Sequence, residues 1–183
     1  GRWGQCAEVL DNGVTGRHKN EISKIISEES KGDILEAMCG FNSYIYPHLD
    51  KSVTAHDYSR EMLMKYEFPE RRRLQFNLDK LPKQKFFIPD ESFDRVVFVK
   101  GYKYPKNLNH VFGEFYRLLK SGGKLIFVES TVAGYAEIVK RRLKVDECKT
   151  FLQKSNFNEI SVKCLPFADT SDEELLLFQA IKR

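Results

Sequence analysis

Ile34-Leu35-Glu36-Ala37-Met38-Cys39-Gly40-Phe41-Asn42, then Ser52-Val53-Thr54-Ala55-His56-Asp57-Tyr58-Ser59, reads as a short apolar strand, a tight loop opening a helix, and a second strand ending in a carboxylate. A strand that delivers the backbone into a loop at a helix start is how an open α/β sheet builds a ligand crevice. An acid at the tip of the next strand can accept from both hydroxyls of a ribose with its two oxygens. The combination points to a ligand containing a nucleoside.

A dinucleotide is the first candidate, because strand, glycine loop, helix and an acid about twenty residues on form a dinucleotide-binding pattern. That pattern needs three glycines, partly so that bare backbone can approach a pyrophosphate. Only Gly40 is present; Met38 and Asn42 stand where the others are expected. A pyrophosphate would meet side chains, which disfavours NAD and FAD. A nucleoside without phosphates, such as S-adenosylmethionine, needs mainly one close backbone approach, which Gly40 can supply.

At these residues the chain resembles the class I S-adenosylmethionine-dependent methyltransferases. The stretch 35–42 is similar to the family's first motif, apolar-acid-x-Gly-x-Gly-x-Gly, with the middle glycine kept. Asp57-Tyr58-Ser59-Arg60-Glu61-Met62-Leu63 resembles the second motif, an acid followed by a polar cap and often a methionine. Asn77-Leu78-Asp79-Lys80-Leu81-Pro82 looks like the third, commonly acid-x-x-x-Leu-Pro, and Asp90-Glu91-Ser92-Phe93-Asp94 like the Asp-x-Ser-Phe-Asp before the fourth strand. The stretch 114–126, ending Gly122-Gly123-Lys124-Leu125-Ile126, is similar to the helix, Gly-Gly turn and strand that follow. Each match is weak alone; five in family order are strong together.

The resemblance implies an α/β fold, Rossmann-like, with a seven-stranded, mostly parallel sheet, helices on both faces and an antiparallel C-terminal strand. A single domain over 1–183 is expected, with 1–32 as an N-terminal helical or lid segment and 33–183 as the core. It implies S-adenosylmethionine as cofactor, with Asp57 on the ribose and Gly40 as the close-approach glycine. Ala37 would offer its carbonyl to the methionine amino group, with Met38 and Cys39 completing the loop. Tyr58 and Met62 would pack near the adenine. Asn77 would accept from the adenine amino group and the Leu78 N–H address the ring nitrogen, with Asp79 as a fallback. Val99 ends the fourth strand at the rim.

Other readings come from the residues. Glu36 sits in an otherwise apolar strand, where an unpaired carboxylate costs several kcal/mol. It should therefore hold loop N–H groups or a ligand ammonium. The loop Lys100-Gly101-Tyr102-Lys103-Tyr104-Pro105 is aromatic and basic: either a pocket for an anionic or aromatic small molecule, or an exposed loop with solvated lysines. It lacks the Asn-Pro-Pro-Tyr type of motif that exocyclic amine methyltransferases of the resembled family use, so the resemblance implies no methylation of DNA adenine or protein glutamine. Arg71-Arg72-Arg73 and Lys140-Arg141-Arg142 read as solvated faces. His56 and His110 read as structural, while the resemblance implies an N-terminal lid to which His18, with Trp3 and Arg17, would belong.

A net charge of +4 is mild, and the absence of an interleaved aromatic series disfavours nucleic acid. No apolar run approaches membrane-spanning length. Four scattered cysteines (Cys6, Cys39, Cys148, Cys164) without a Cys-x-x-Cys pair read as reduced thiols of a cytoplasmic protein, not a disulfide frame or zinc site. Histidine spacing suggests no metal.

Strands are expected near 34–37, 53–56, 74–77, 95–99, 124–129, 159–165 and 175–181, the last two antiparallel. Helices are expected after Asn20 as cap, over 108–119 with Gly122 as terminator, near 137–144 and near 146–155. The functional expectation is methyl transfer to a small-molecule acceptor by a monomer or homodimer, with no catalytic side chain assigned. The rival is a non-catalytic binding or scaffold protein that keeps the fold, because Met38 and Asn42 could narrow the cofactor slot.

Overall fold

Strands alternate with helices in the computed structural model, which describes residues 18–45, 52–80, 88–131, 143–166 and 174–183. The order is α1 (Lys19–Glu29), β1 (Asp33–Ala37), β2 (Ser52–Asp57), α2 (Arg60–Met64), β3 (Arg72–Gln75) and a 3-10 turn (Leu78–Lys80). Then come β4 (Phe93–Val99), α3 (Leu108–Leu118), β5 (Leu119–Ser130), α4 (Val145–Lys154), β6 (Asn158–Cys164) and β7 (Leu175–Ile181).

The seven strands form one sheet in the order β3-β2-β1-β4-β5-β7-β6. β1 to β5 pair in parallel, while β7 is antiparallel to both β5 and β6. The expected Rossmann-like fold with an antiparallel C-terminal end is what the chain adopts. Strand order reverses between β1 and β4, and in such sheets the ligand crevice lies outside the carboxyl ends at that reversal.

Alternate residues of the central strands bury opposite faces, which is why these strands read as continuous apolar runs. Leu35, Val96, Phe98, Leu125, Phe127 and Phe178 meet α3 and α4 on one side. Ile34, Val97, Ile126 and Val128 meet Ile22 and Ile26 of α1 on the other. Phe98, Phe127 and Phe178 are register partners on β4, β5 and β7, and their rings stack at 4.5 and 4.6 Å between centroids.

Several local expectations are corrected. α1 starts at Lys19, with His18 rather than Asn20 at its cap position. α3 is capped as its sequence allows, Asn107 accepting from the His110 N–H at 3.1 Å, but it stops at Leu118 and passes straight into β5. Gly122, at φ +75°, instead sits where the β4–β5 register shifts, and donates to the Lys182 carbonyl. β3 lies two residues earlier than expected, because the buried Phe76 and Leu78 belong to the segment leaving the sheet. After β1 the described residues form turns and bends, not the helix the loop was expected to open. The helix expected near 137–144 and the Trp3–Arg17 lid fall largely or wholly outside the described residues.

Candidate functional site

Parallel pairing sets Ala37 beside His56, so the bend after β1 lies against the tip of β2. The bend turns through two left-handed residues, Met38 at φ +51° and Gly40 at φ +62°. β2 takes up its three N–H groups in turn. Met38 N–H donates to His56 Nδ1 at 3.3 Å, Cys39 N–H to the His56 carbonyl at 2.9 Å, and Gly40 N–H to Asp57 Oδ2 at 2.9 Å.

Asp57 Oδ1 also accepts from the Ser59 N–H at 2.8 Å, at the cap of α2. Burial pushes this carboxyl above its usual range, opposed by the N–H groups of Ser59, Gly40 and Tyr58. A carboxylate offers about four acceptor positions, so capacity remains for a ligand hydroxyl. His56 is fully buried, its ring against Phe76 at 3.9 Å and Nε2 on the Phe76 carbonyl at 3.0 Å. Nδ1 as acceptor and Nε2–H as donor is the tautomer that satisfies both contacts, and burial lowers the pKa to about 4.

Glu36, whose charge is felt at Cys39, braces the segment beyond the bend. Its oxygens accept from the Tyr44 N–H at 2.6 Å, Ser43 Oγ at 2.8 Å and Tyr66 Oη at 2.6 Å. Arg71 closes the network from beside the Phe68 ring, donating to Ser43 Oγ, Tyr66 Oη and the Ile45 carbonyl at 2.6, 2.8 and 2.9 Å. Its guanidinium stands 3.5 Å from Glu36. Desolvation still raises the Glu36 pKa, against these hydrogen bonds. Glu36 holds loop N–H and hydroxyl groups, and Arg71 is no solvated charge but a buried partner with 8% of its side chain exposed.

The residues expected around an adenine are spread over three environments. Tyr58 is exposed, Met62 is buried on the inner face of α2, and Leu78 is buried beyond β3. Asn77 Oδ1 accepts from the Asp79 N–H at 3.0 Å, an Asx turn that leaves one oxygen lone pair. Asp79 accepts from the Lys106 and Asn107 N–H groups at 3.0 and 2.9 Å, so its carboxylate pins the start of α3. Desolvation and the neighbouring carboxylates of Glu36 and Asp57 push the Cys39 thiol far up, which disfavours the thiolate form.

On the other side of the reversal, Val99 ends β4 and Lys100 leaves it at φ +57°. The following loop does not present solvated lysines throughout. Lys103 is buried 3.2 Å from Glu129 Oε1, and Glu129, fully buried at the end of β5, also accepts from the Tyr102 N–H at 3.1 Å. Burial raises the Glu129 pKa, with Lys103 working against it. Gly101 is buried beneath Met38: a Cβ built on Gly101 would lie 2.6 Å from Met38 Cε and 3.1 Å from Sδ. The half-buried Met38 side chain thus bridges the ends of β1 and β4.

Glu129 and Arg71 were missed from the sequence. Glu129 had the same signal as Glu36, a carboxylate near the end of an otherwise apolar strand. Arg71 had none, since only the fold brings it to Glu36.

Comparison with known proteins agrees with this architecture. The methyltransferase domain family matches residues 35–127. A Haemonchus contortus phosphoethanolamine N-methyltransferase 2, solved with phosphomonomethylethanolamine and S-adenosylhomocysteine, superposes with a TM-score of 0.72 at 16% identity, over 91% of this chain and 52% of its own. The same enzyme with S-adenosyl-L-methionine gives 0.72 at 14%, over 98% and 60%. This chain thus spans a half to three-fifths of that protein. An S-adenosylmethionine-dependent methyltransferase from Mesorhizobium loti gives 0.69 at 18%, over 94% and 100%. A Haloferax volcanii complex of the Trm112 methyltransferase activator with a proposed methyltransferase gives 0.76 at 15%, over 98% and 96%. No curated protein matches by sequence. With the family matched over just over half of its 183 residues and the sheet order that goes with it, the chain belongs to the methyltransferase domain family, of the class I S-adenosylmethionine-dependent type.

Proposed function

We propose that this chain binds S-adenosylmethionine across the carboxyl ends of β1, β2 and β4 and transfers its methyl group to a small molecule. The observation that carries the reading is the fate of the bend's N–H groups. A pyrophosphate would need free backbone donors there, yet those of Met38, Cys39 and Gly40 are taken by His56 and Asp57. What the bend offers is a close, pre-formed backbone surface beside a carboxylate, which suits a ribose without phosphates. Asp57 would hold the ribose hydroxyls, Gly40 the close approach, and Asn77 with the Leu78 N–H the adenine edge. Ala37, Met38, Cys39 and Val99 would line the methionyl end, with Tyr58 and Met62 flanking the adenosine.

The cofactor, when bound, supplies an electrophilic methyl group. The protein's part is positioning: methyl transfer is fast when donor and acceptor are held in line at near-attack distance. The loop after β4, fastened by Glu129, would form the acceptor side, with Lys100 and the half-exposed Tyr104 facing an anionic or aromatic group. The phosphomonomethylethanolamine held by the Haemonchus contortus enzyme supports a small acceptor. Cys39, Cys148 and Cys164 are free thiols, which fits a reducing, cytoplasmic setting.

Incubation with methyl-labelled S-adenosylmethionine and a small-molecule extract tests this. The expected result is label in a small-molecule fraction. Binding of S-adenosylhomocysteine with no label transferred to any fraction would overturn the enzymatic reading in favour of a scaffold.

A further inference from the structure

β1 and β4, the strands that flank the reversal of strand order, are each followed by a non-glycine residue with left-handed backbone, Met38 and Lys100. Such residues are costly and persist where the surroundings hold them. At Met38 the side chain has a definite seat. Its Sδ and Cε lie on the bare face of Gly101, so close that a Cβ there would be 3.1 and 2.6 Å away. The thioether therefore spans the space between the two strand ends, over the reversal where an open α/β sheet binds its ligand. Met38 is half-buried, packed against the core on one side and accessible on the other, with Gly101 buried beneath it.

We propose that Met38 is a displaceable gate on the methionyl end of the cofactor pocket, resting on Gly101 in the free protein and swinging aside to admit ligand. The inference rests on the S-adenosylmethionine reading and adds a residue that sets its affinity. A methionine suits the role. It is unbranched, has three rotatable bonds and fills irregular space without a strong demand on geometry. The seat is also of fitting chemistry, since what it holds is a methionine thioether chain. Asp57 and the backbone of Gly40 lie on the β2 side of the bend, away from Gly101. The adenosine end of a ligand is therefore free of the gate, and only a ligand with the amino-acid chain has to move it.

That asymmetry gives the test. Calorimetry would compare wild type, Met38→Gly and Met38→Ala with S-adenosylhomocysteine and with adenosine, after thermal unfolding has shown each variant folded. Met38→Ala clears the seat while keeping a non-glycine residue at the left-handed position, and so separates occupancy from backbone strain. Both variants should bind S-adenosylhomocysteine about five- to tenfold more tightly, Met38→Gly the more so, while adenosine affinity stays within about twofold. Unchanged or weaker S-adenosylhomocysteine binding in both variants would overturn the gate while leaving the cofactor reading intact. Parallel changes for the two ligands would overturn it as well, since they would mark Met38 as support for the whole pocket. Wild type and variants all failing to bind S-adenosylhomocysteine would overturn the cofactor reading and the gate with it.

Discussion

His56 and Asp57 do for the bend what two further glycines would have made unnecessary: they hold a non-glycine backbone in the shape the crevice needs. His56 can accept from Met38 only while neutral, and its lowered pKa makes that a statement about pH. The folded value of about 4 lies below the unfolded 6.5. The stabilisation is therefore complete above pH 6.5 and is lost as pH falls toward 4, by about 3 kcal/mol in all. The raised carboxyls of Glu36 and Glu129 act in the opposite sense, losing stability as pH rises above their unfolded value of 4.5. Urea unfolding of wild type and His56→Gln at pH 7 and pH 4.5 isolates the histidine: the variant should lack most of the acid-side loss that wild type carries. Equal loss in both would remove His56 from the account. At this scale Asp57 and Gly40 were legible because each has a local signature, a strand-tip acid and a loop glycine. The part played by His56 was not, because a lone histidine in a strand says nothing of what lies across the sheet.

The segment after β1 shows how far an element can depart from its motif. Its sequence suggested a helix, and its described part is instead a run of turns tied down by Glu36, Tyr66 and Arg71. Removing Arg71 leaves a buried carboxylate without its cation, so Arg71→Met should cost about 3 kcal/mol at pH 7. The loss should shrink as pH falls and Glu36, its pKa raised by burial, takes up a proton, and the double variant Arg71→Met/Glu36→Gln should recover part of it. Urea denaturation checks both, and a single variant as stable as wild type would contradict the brace. Strand and helix identities were otherwise readable wherever burial is continuous, as in β4, α3 and β5. They slipped at β3, an edge strand of four residues, and at the α3–β5 junction, where Gly122 looks like a terminator but serves a register shift.

For the molecule as a whole, the sheet order and the aromatic ladder across it set the frame. Phe127 stacks between Phe98 and Phe178 and is fully buried, so Phe127→Ala should lower stability by about 3–5 kcal/mol, and Phe127→Leu by clearly less. Thermal or urea unfolding measures it; a loss under about 1 kcal/mol for the alanine variant would show that the ladder is not a main contributor. The ladder was invisible in sequence because its members come from three distant strands, whereas the family's motif order was visible because it is linear. What the frame achieves is to set one carboxylate against one bend at the edge where strand order reverses. Calorimetry with S-adenosylhomocysteine on wild type and Asp57→Ala tests that most directly. Wild type should bind, and the variant should bind about 5- to 150-fold more weakly, the loss of roughly 1–3 kcal/mol of hydrogen bonding to a charged group. A folded Asp57→Ala protein with undiminished affinity, or a wild type that binds NAD and not S-adenosylhomocysteine, would contradict the account.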